Sequence, residues 1–382
     1  MKRLKENKLL RWVIKLGSSI VTDGGKGVDT KLITHYAKQI SFLQSIGYQI
    51  ILVSSGSIVE GIRRLKWDVR PKQISQLQAA AAVGQVGMIR VFEEAFQKNE
   101  GSIAQILLTH EDFSDRKRYL NSKSTMLTLL KNNVTIIINE NDTVSTNEIK
   151  VGDNDTLAAL VANQLEADLL VILTDQSGIF EENPDINPNA KLIKNLKVSD
   201  KKLLKVSSGS TSRLGVGGMI TKVKAAKIAA AGGANTVITD GFEQNVLFRL
   251  ADGESLGTLI KADIPQLRAR KQWLSNQLKI KGRFILDEGA ESAIFVSGKS
   301  LLPIGVVGVE GDFDRGDAVA CVNASNDLIA IGLSNYSCAD SKKIIGNSSS
   351  KIESIIGFVE EPELIHRDNL SLTDFNSSFE KI

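Results

Sequence analysis

Between residues 12 and 260 the sequence alternates between two textures, and this alternation limits the fold more than any other feature. Short β-branched runs recur at Trp12–Ile14, Ile50–Val53, Ile103–Leu108, Val134–Ile138, Leu169–Leu173 and Thr236–Thr239. Longer Ala- and Leu-rich segments lie between them. The clearest is Gln73–Phe96, where Ile74, Leu77, Ala81, Met88, Val91 and Phe92 fall near helical spacing. Thr156–Glu166 and Thr221–Ala231 have the same character. Strands that alternate with helices build a mainly parallel sheet covered on both faces, a three-layer α/β/α arrangement. The runs are largely apolar rather than alternating, as strands covered on both faces should be.

The texture changes after residue 262. Lys261–Lys281 carries Arg268, Arg270, Lys271 and Lys279 around Trp273 and reads as a connecting segment. Short β-like pieces follow at Arg283–Leu286, Ala293–Val296, Gly305–Val309, Ala318–Val322 and Leu328–Leu333, punctuated by Gly311-Asp312 and Arg315-Gly316-Asp317. These predict a small all-β barrel of about 80 residues. The polar, Ser-containing end of the chain reads as frayed.

A chain of 382 residues favours two domains over one. No apolar run approaches the roughly 18–20 residues that cross a bilayer. Lys15 interrupts the apolar stretch behind the basic start, so no signal peptide is read there. Cys321 and Cys338 are the two cysteines, too few for a disulfide framework and without the neighbours of a zinc site. A cytoplasmic location is expected. The net charge is +3, unevenly spread. Residues 281–360 hold seven Lys and Arg against eleven Asp and Glu, and residues 361–382 hold two against five. The first 280 residues therefore carry +10, which suits an anionic ligand, whereas the acidic remainder argues against nucleic acid.

In open α/β sheets ligands bind where strands end and helices begin, and four apolar runs end in chemistry. Val13-Ile14-Lys15-Leu16-Gly17-Ser18-Ser19 puts a lysine inside a strand, which calls for an anionic partner, and follows it with a Gly/Ser turn whose N–H groups suit phosphate. Val53-Ser54-Ser55-Gly56-Ser57 places hydroxyls at a helix start, where they serve either as caps or as ligand groups. Ile138-Asn139-Glu140-Asn141-Asp142 and Val151-Gly152-Asp153-Asn154-Asp155 are dense in acids and amides, beyond what turns need. Leu173-Thr174-Asp175 and the glycine-rich Gly215–Lys222 complete the set. Neither a P-loop nor a dinucleotide fingerprint fits: Ala293 stands where a P-loop before Gly298-Lys299-Ser300 needs glycine. His35, His110 and His366 lie away from these clusters, which disfavours Ser-His or Cys-His chemistry. Lysines, Gly/Ser loops and an acidic pair are the parts of phosphoryl transfer, whose transition state spreads negative charge over oxygens.

In this order the motifs Val13–Ser19, Val53–Gly56, Leu107–Asp112, Ile138–Asp142, Glu148–Asp155, Leu173–Asp175 and Gly215–Lys222 resemble the glutamate 5-kinase branch of the amino acid kinase family. Leu286–Ala290 and Ser300–Gly305 resemble a PUA domain. The single glycine before Ser18-Ser19 suits this branch better than aspartate or N-acetylglutamate kinases, which usually show two. The likeness covers essentially residues 10–370. It implies a kinase domain over 8–262, a linker over 263–281, a PUA domain over 282–362 and a flexible tail over 363–382.

The resemblance also implies an activity: ATP-dependent phosphorylation of the L-glutamate γ-carboxylate, the first step of proline synthesis. By it, Lys15 and Lys222 contact ATP phosphates and stabilise the transferring group, and Asp155 orients both lysines. Ser55, Asp142 and Asn154 hold glutamate, with Asp142 on its ammonium. Thr174, Asp175, Val216, Gly217, Gly218, Met219, Ile220, Thr221 and Lys222 line the nucleotide. Val216 stands where many relatives have threonine, so one hydroxyl is lost near ATP. Mg²⁺ bridges the phosphates and no protein metal site is expected. A homo-oligomer, tetramer or dimer, inhibited by proline is implied, with RNA binding and membrane association not expected. The alternatives are another carboxylate kinase of this fold, such as N-acetylglutamate kinase, and more distantly an RNA-binding protein acting through the PUA domain.

Overall fold

The computed structural model describes residues 10–22, 27–145, 154–182, 184, 186–201, 203, 218–263, 280–295 and 297–372. Among the described residues, no helix is long and apolar enough to cross a membrane. Two compact units divide the chain: Met1–Ser114 with Asn121–Gln266, and Asp115–Leu120 with Leu267–Ile382.

The first unit begins with β1 (Leu10–Leu16), α1 (Ser18–Val21), α2 (Thr30–Ser45), β2 (Tyr48–Val53), α3 (Ser57–Arg64), α4 (Ile74–Gln97), β3 (Ile103–Leu108), α5 (His110–Ser114), α6 (Arg116–Lys131) and β4 (Thr135–Glu140). It continues through α7 (Asn154–Gln164), β5 (Leu169–Thr174), β6 (Asn195–Lys197), α8 (Met219–Ala231), β7 (Asn235–Asp240), α9 (Val246–Ala251) and β8 (Thr258–Lys261). The eight strands order as β3-β4-β2-β1-β5-β7-β8-β6 and are parallel except where β8 meets β7. Every sequence-predicted strand and helix of this unit is present, with ends shifted by a few residues.

Strand β1 explains the layering. Trp12, Ile14 and Leu16 enter one core with Tyr36 and Ile40 of α2 and Met88 and Phe92 of α4. Val13 enters the other, with Leu157 and Val161 of α7 and Val223 and Ala226 of α8. Successive side chains on a strand face opposite sides, so one apolar run serves both cores. Each fully buried Ile or Leu contributes about 1.5–3 kcal/mol. Helices α7 and α8 meet through small residues, Ala158, Ala159 and Ala162 against Ala225, Ala226 and Ala229. Asn163 fastens them by donating Nδ2 to the Ile228 carbonyl at 2.7 Å.

The second unit holds β9 (Ile280–Leu286), α10 (Glu288–Phe295), β10 (Val306–Gly311), β11 (Ala318–Val322), β12 (Leu328–Leu333), α11 (Cys338–Ile344), α12 (Ile352–Ile356) and β13 (Leu370–Leu372). Its sheet orders as β10-β9-β11-β12-β13, antiparallel except for β9 with β11. Strands dominate as expected, but three readings change. Of the piece Ala293–Val296, residues 293–295 are not strand but close helix α10 and bury Ile294, and Val296 lies outside the described residues. The chain does not loosen at 363: Leu370–Leu372 pair with β12 and add the sheet's edge strand. Asp115–Leu120, at the start of α6, also belongs to this unit, where Leu120 packs on Ala318 and Leu333. Residues 264–279 of the expected linker and 373–382 of the tail lie outside the described residues.

Candidate active site

The strand register puts four strand ends level. Lys15 pairs with Val53 on one side and Ile172 on the other, and Val53 pairs with Ile138. The segments that leave these strands therefore gather along one carboxyl edge. Strands β2, β4 and β3 lie to one side of β1 and β5 to the other, so the order reverses at β1, where open α/β sheets bind ligands. The Gly17 N–H donates to the Leu173 carbonyl at 3.0 Å. A Cβ at Gly17 would stand 3.1 Å from that oxygen, which favours the bare backbone there.

Strand parity aims Lys15. It faces the same side as Val13, toward α7 and α8, and there its ammonium lies 2.7 Å from Asp155 Oδ1. Lys222, in the first turn of α8, lies 3.1 Å from Asp155 Oδ2. The Thr221 hydroxyl is 2.8 Å from Oδ2 and 2.9 Å from the Gly218 carbonyl, within donating distance of either. All three charged groups are buried: Lys15 is 7%, Lys222 6% and Asp155 2% exposed. Burial pushes the Asp155 carboxyl up, but the Lys15 and Lys222 charges outweigh it and hold it below the usual carboxylate range. Among the described residues two ammonium groups face one carboxylate, a positive surplus beside the N-termini of α7 and α8. A buried surplus of this kind calls for an anion, and helix N-termini favour phosphate.

The neighbouring residue builds a second cluster. Asn154 Nδ2 lies 3.1 Å from Ser55 Oγ and 2.7 Å from Asn139 Oδ1, and also donates to the Ser54 carbonyl. Asp142 is half-buried and accepts from the Ser57 hydroxyl at 3.0 Å. Burial raises the Asp142 carboxyl above its ordinary range, tempered by that hydroxyl. The hydroxyls after β2 do not cap α3: Gly56 does so from a left-handed backbone, φ 99°, with no side-chain cap. Ser55 is left for Asn154.

Of the expected nucleotide residues, Thr174 is buried and donates its hydroxyl to Asp175 Oδ1 at 3.1 Å, while Asp175 is exposed. Gly218 caps α8, Met219 is buried and Ile220 is 46% exposed. Val216 and Gly217 lie outside the described residues, as do positions 148–153. The structure thus brings together Lys15, Asp155, Thr221 and Lys222 as one group and Ser55 and Asn154 as another. Ser57 and Asn139 belong to the second group too. Neither stands out in the sequence as a site residue, because a serine at a helix start and an asparagine at a strand end look like ordinary turn chemistry.

Residues 10–240 match the amino acid kinase family, and residues 282–356 match the PUA domain. A glutamate 5-kinase from Methylococcus capsulatus is 53% identical over 363 residues, covering 95% of this chain and 97% of the relative. Another from Nitrosospira multiformis is 54% identical over 369 residues, covering 97% and 99%. The chain belongs to the amino acid kinase family, among its glutamate 5-kinases. A third such kinase, from a Janthinobacterium, is 53% identical over 362 residues. A solved UMP kinase from Bacillus anthracis aligns at 17% identity and TM-score 0.46 over 66% of this kinase and 96% of its own chain, too loose a likeness to bear on substrate.

Proposed function

We propose that this kinase transfers the γ-phosphoryl group of ATP to the γ-carboxylate of L-glutamate, giving L-glutamyl 5-phosphate at the first step of proline synthesis. The observation that carries the reading is the convergence of Lys15 and Lys222 on Asp155, directly beside Asn154 and its polar cluster. A carboxylate with a pKa of about 4.3 is ionised at neutral pH, so the nucleophile needs no general base. The obstacle is bringing one anion to another. Lys15 and Lys222 supply fixed positive charge where the transferring oxygens gather, and Asp155 keeps both ammonium groups in place. A carboxylate oxygen attacks the γ-phosphorus, that bond forms as the bond to ADP breaks, and charge moves onto the leaving oxygen.

In this reading Asp142 pairs with the substrate ammonium while Ser55 and Asn154 complete the amino-acid site. An acylated analogue lacks that ammonium, which disfavours N-acetylglutamate. Thr174, Asp175 and the residues from Val216 to Lys222 accommodate the nucleotide. Among the described residues no cluster of three or more His, Cys, Asp or Glu could hold a metal. Mg²⁺ would be carried mainly by phosphate oxygens and water. Proline carries an α-carboxylate and a cationic, though secondary, ammonium as glutamate carries a primary one, which supports it as a feedback inhibitor. Exposed Val83 and Val86 on α4 suit a homo-oligomer. Cys321 and Cys338 are free and buried, in keeping with a reducing cytoplasm. The acidic PUA portion supports no role in RNA binding.

The test is purified protein with ATP, Mg²⁺, hydroxylamine and L-glutamate. Formation of γ-glutamyl hydroxamate is expected. Turnover of N-acetylglutamate with none of glutamate would overturn the assignment.

A further inference from the structure

The amide of Asn154 is oriented by a relay of amides whose polarity is set by the backbone. Its Nδ2 meets the Ser54 carbonyl, which can only accept, so that atom is the nitrogen. The same Nδ2 donates to Asn139 Oδ1 at 2.7 Å. Asn139 Oδ1 in turn accepts from the Glu140 backbone N–H at 2.9 Å, which identifies it as the oxygen. Asn139 must therefore turn its own nitrogen the other way. There it donates to Gln85 Oε1, on α4, at 2.7 Å. With its nitrogen engaged, Asn154 has Oδ1 left to accept, and among the described residues no donor is bonded to that oxygen. A carbonyl oxygen is what an ammonium ligand requires.

A second contact shows that α4 braces this edge. Gln78, two turns before Gln85 on the same face, donates Nε2 to the Ser145 carbonyl at 3.1 Å. The helix thus holds the chain before Asp142 through Asn139 and after it through Ser145.

We infer that Gln85 is a positioning residue for the amino-acid substrate: acting through Asn139, it fixes the Asn154 amide with its oxygen toward the substrate ammonium. This rests on the assignment of Ser55, Asp142 and Asn154 to glutamate. Gln85 touches no reacting atom in this scheme. Its loss leaves the Asn139 nitrogen without that acceptor, so Asn139 is held only by the Glu140 N–H and by Asn154, and the Asn154 oxygen is less firmly placed for the ammonium.

The experiment compares the whole chain with its Gln85→Leu and Gln85→Glu variants in the hydroxamate assay. Wild-type turnover of glutamate is measured first. Its absence would refute the substrate assignment, and the inference with it, before any variant is read. Gln85→Leu removes the acceptor at similar volume and is expected to raise the glutamate KM about tenfold, the usual effect of one buried hydrogen bond. Its kcat and ATP KM should stay within twofold. Gln85→Glu keeps an accepting oxygen and should restore the glutamate KM to within threefold. The inference fails, with the substrate assignment intact, if Gln85→Leu leaves the glutamate KM within twofold. It fails equally if both KM values rise together, or if Glu and Leu shift the glutamate KM alike. Should Gln85→Leu not fold, Gln85→Met carries the same expectation and the same refutation.

Discussion

Lys15 on the central strand and Lys222 in the first turn of α8 grip opposite oxygens of a single buried carboxylate, at 2.7 and 3.1 Å from Asp155. The pair is held together while remaining, among the described residues, one negative charge short.

Asp155→Asn removes the charge that the two lysines share among the described residues. Two buried ammonium groups are then left facing each other across a neutral amide. The expected result is a fall in kcat of about 10²-fold or more and a loss of stability of about 3 kcal/mol. Steady-state kinetics at saturating substrates and denaturant unfolding check both.

The stability part of that deficit depends on pH in a defined direction. The Asp155 carboxyl is depressed in the folded chain, below its unfolded value of about 3.9. Its ionised form therefore stabilises the fold fully above that unfolded value, and the benefit fades as pH falls toward the folded one. The gap between wild type and Asp155→Asn should be constant near neutrality and shrink below about pH 4. A gap that widens in acid would contradict the arrangement.

Lys222→Ala should lower kcat by about 10²-fold or more, in line with the loss of other transition-state donors. An effect seen only in the glutamate KM would place Lys222 outside the phosphoryl-transfer step.

Asp142 titrates above the ordinary carboxylate range because of its burial. Once protonated it cannot pair with an ammonium. As pH falls, the glutamate KM should rise as Asp142 takes up its proton, at a higher pH than a solvent-exposed aspartate would, while the ATP KM changes less. Asp142→Asn should show a high glutamate KM without that acid-side rise.

Gly84 tests the packing of α3 against α4. A Cβ there would stand 1.8 Å from the Ser57 carbonyl oxygen and 2.5 Å from the Gly61 nitrogen, both backbone atoms with nowhere to go. Gly84→Ala should cost about 3 kcal/mol and displace Ser57, the donor to Asp142. A thermal melt unchanged from wild type would contradict this.

The alternating textures already contained the layered α/β fold, since hydrophobic period and helix propensity are local properties. They also exposed Lys15, Asp142, Asn154, Asp155 and Lys222, because charges and amides at strand ends stand out against apolar runs. The piece Ala293–Val296 misled because Ile294, Phe295 and Val296 suit a strand locally. Its preceding residues, Glu288 to Ser292, start a helix that buries Ile294 instead. Leu370–Leu372 gave no warning of a strand, since an edge strand exists only when a partner such as β12 is beside it.

The pairings themselves came from packing. Nothing near Lys15 in the chain names Asp155 as its partner. Strand parity chose the face, and small residues between α7 and α8 set how near the two helices lie. Gln85 is likewise an ordinary polar residue on a long helix until α4 lies against the end of β4 and offers its oxygen to Asn139. Residue chemistry and local periodicity are written along the chain, whereas the direction of a side chain and the identity of its partner depend on which elements fold against each other.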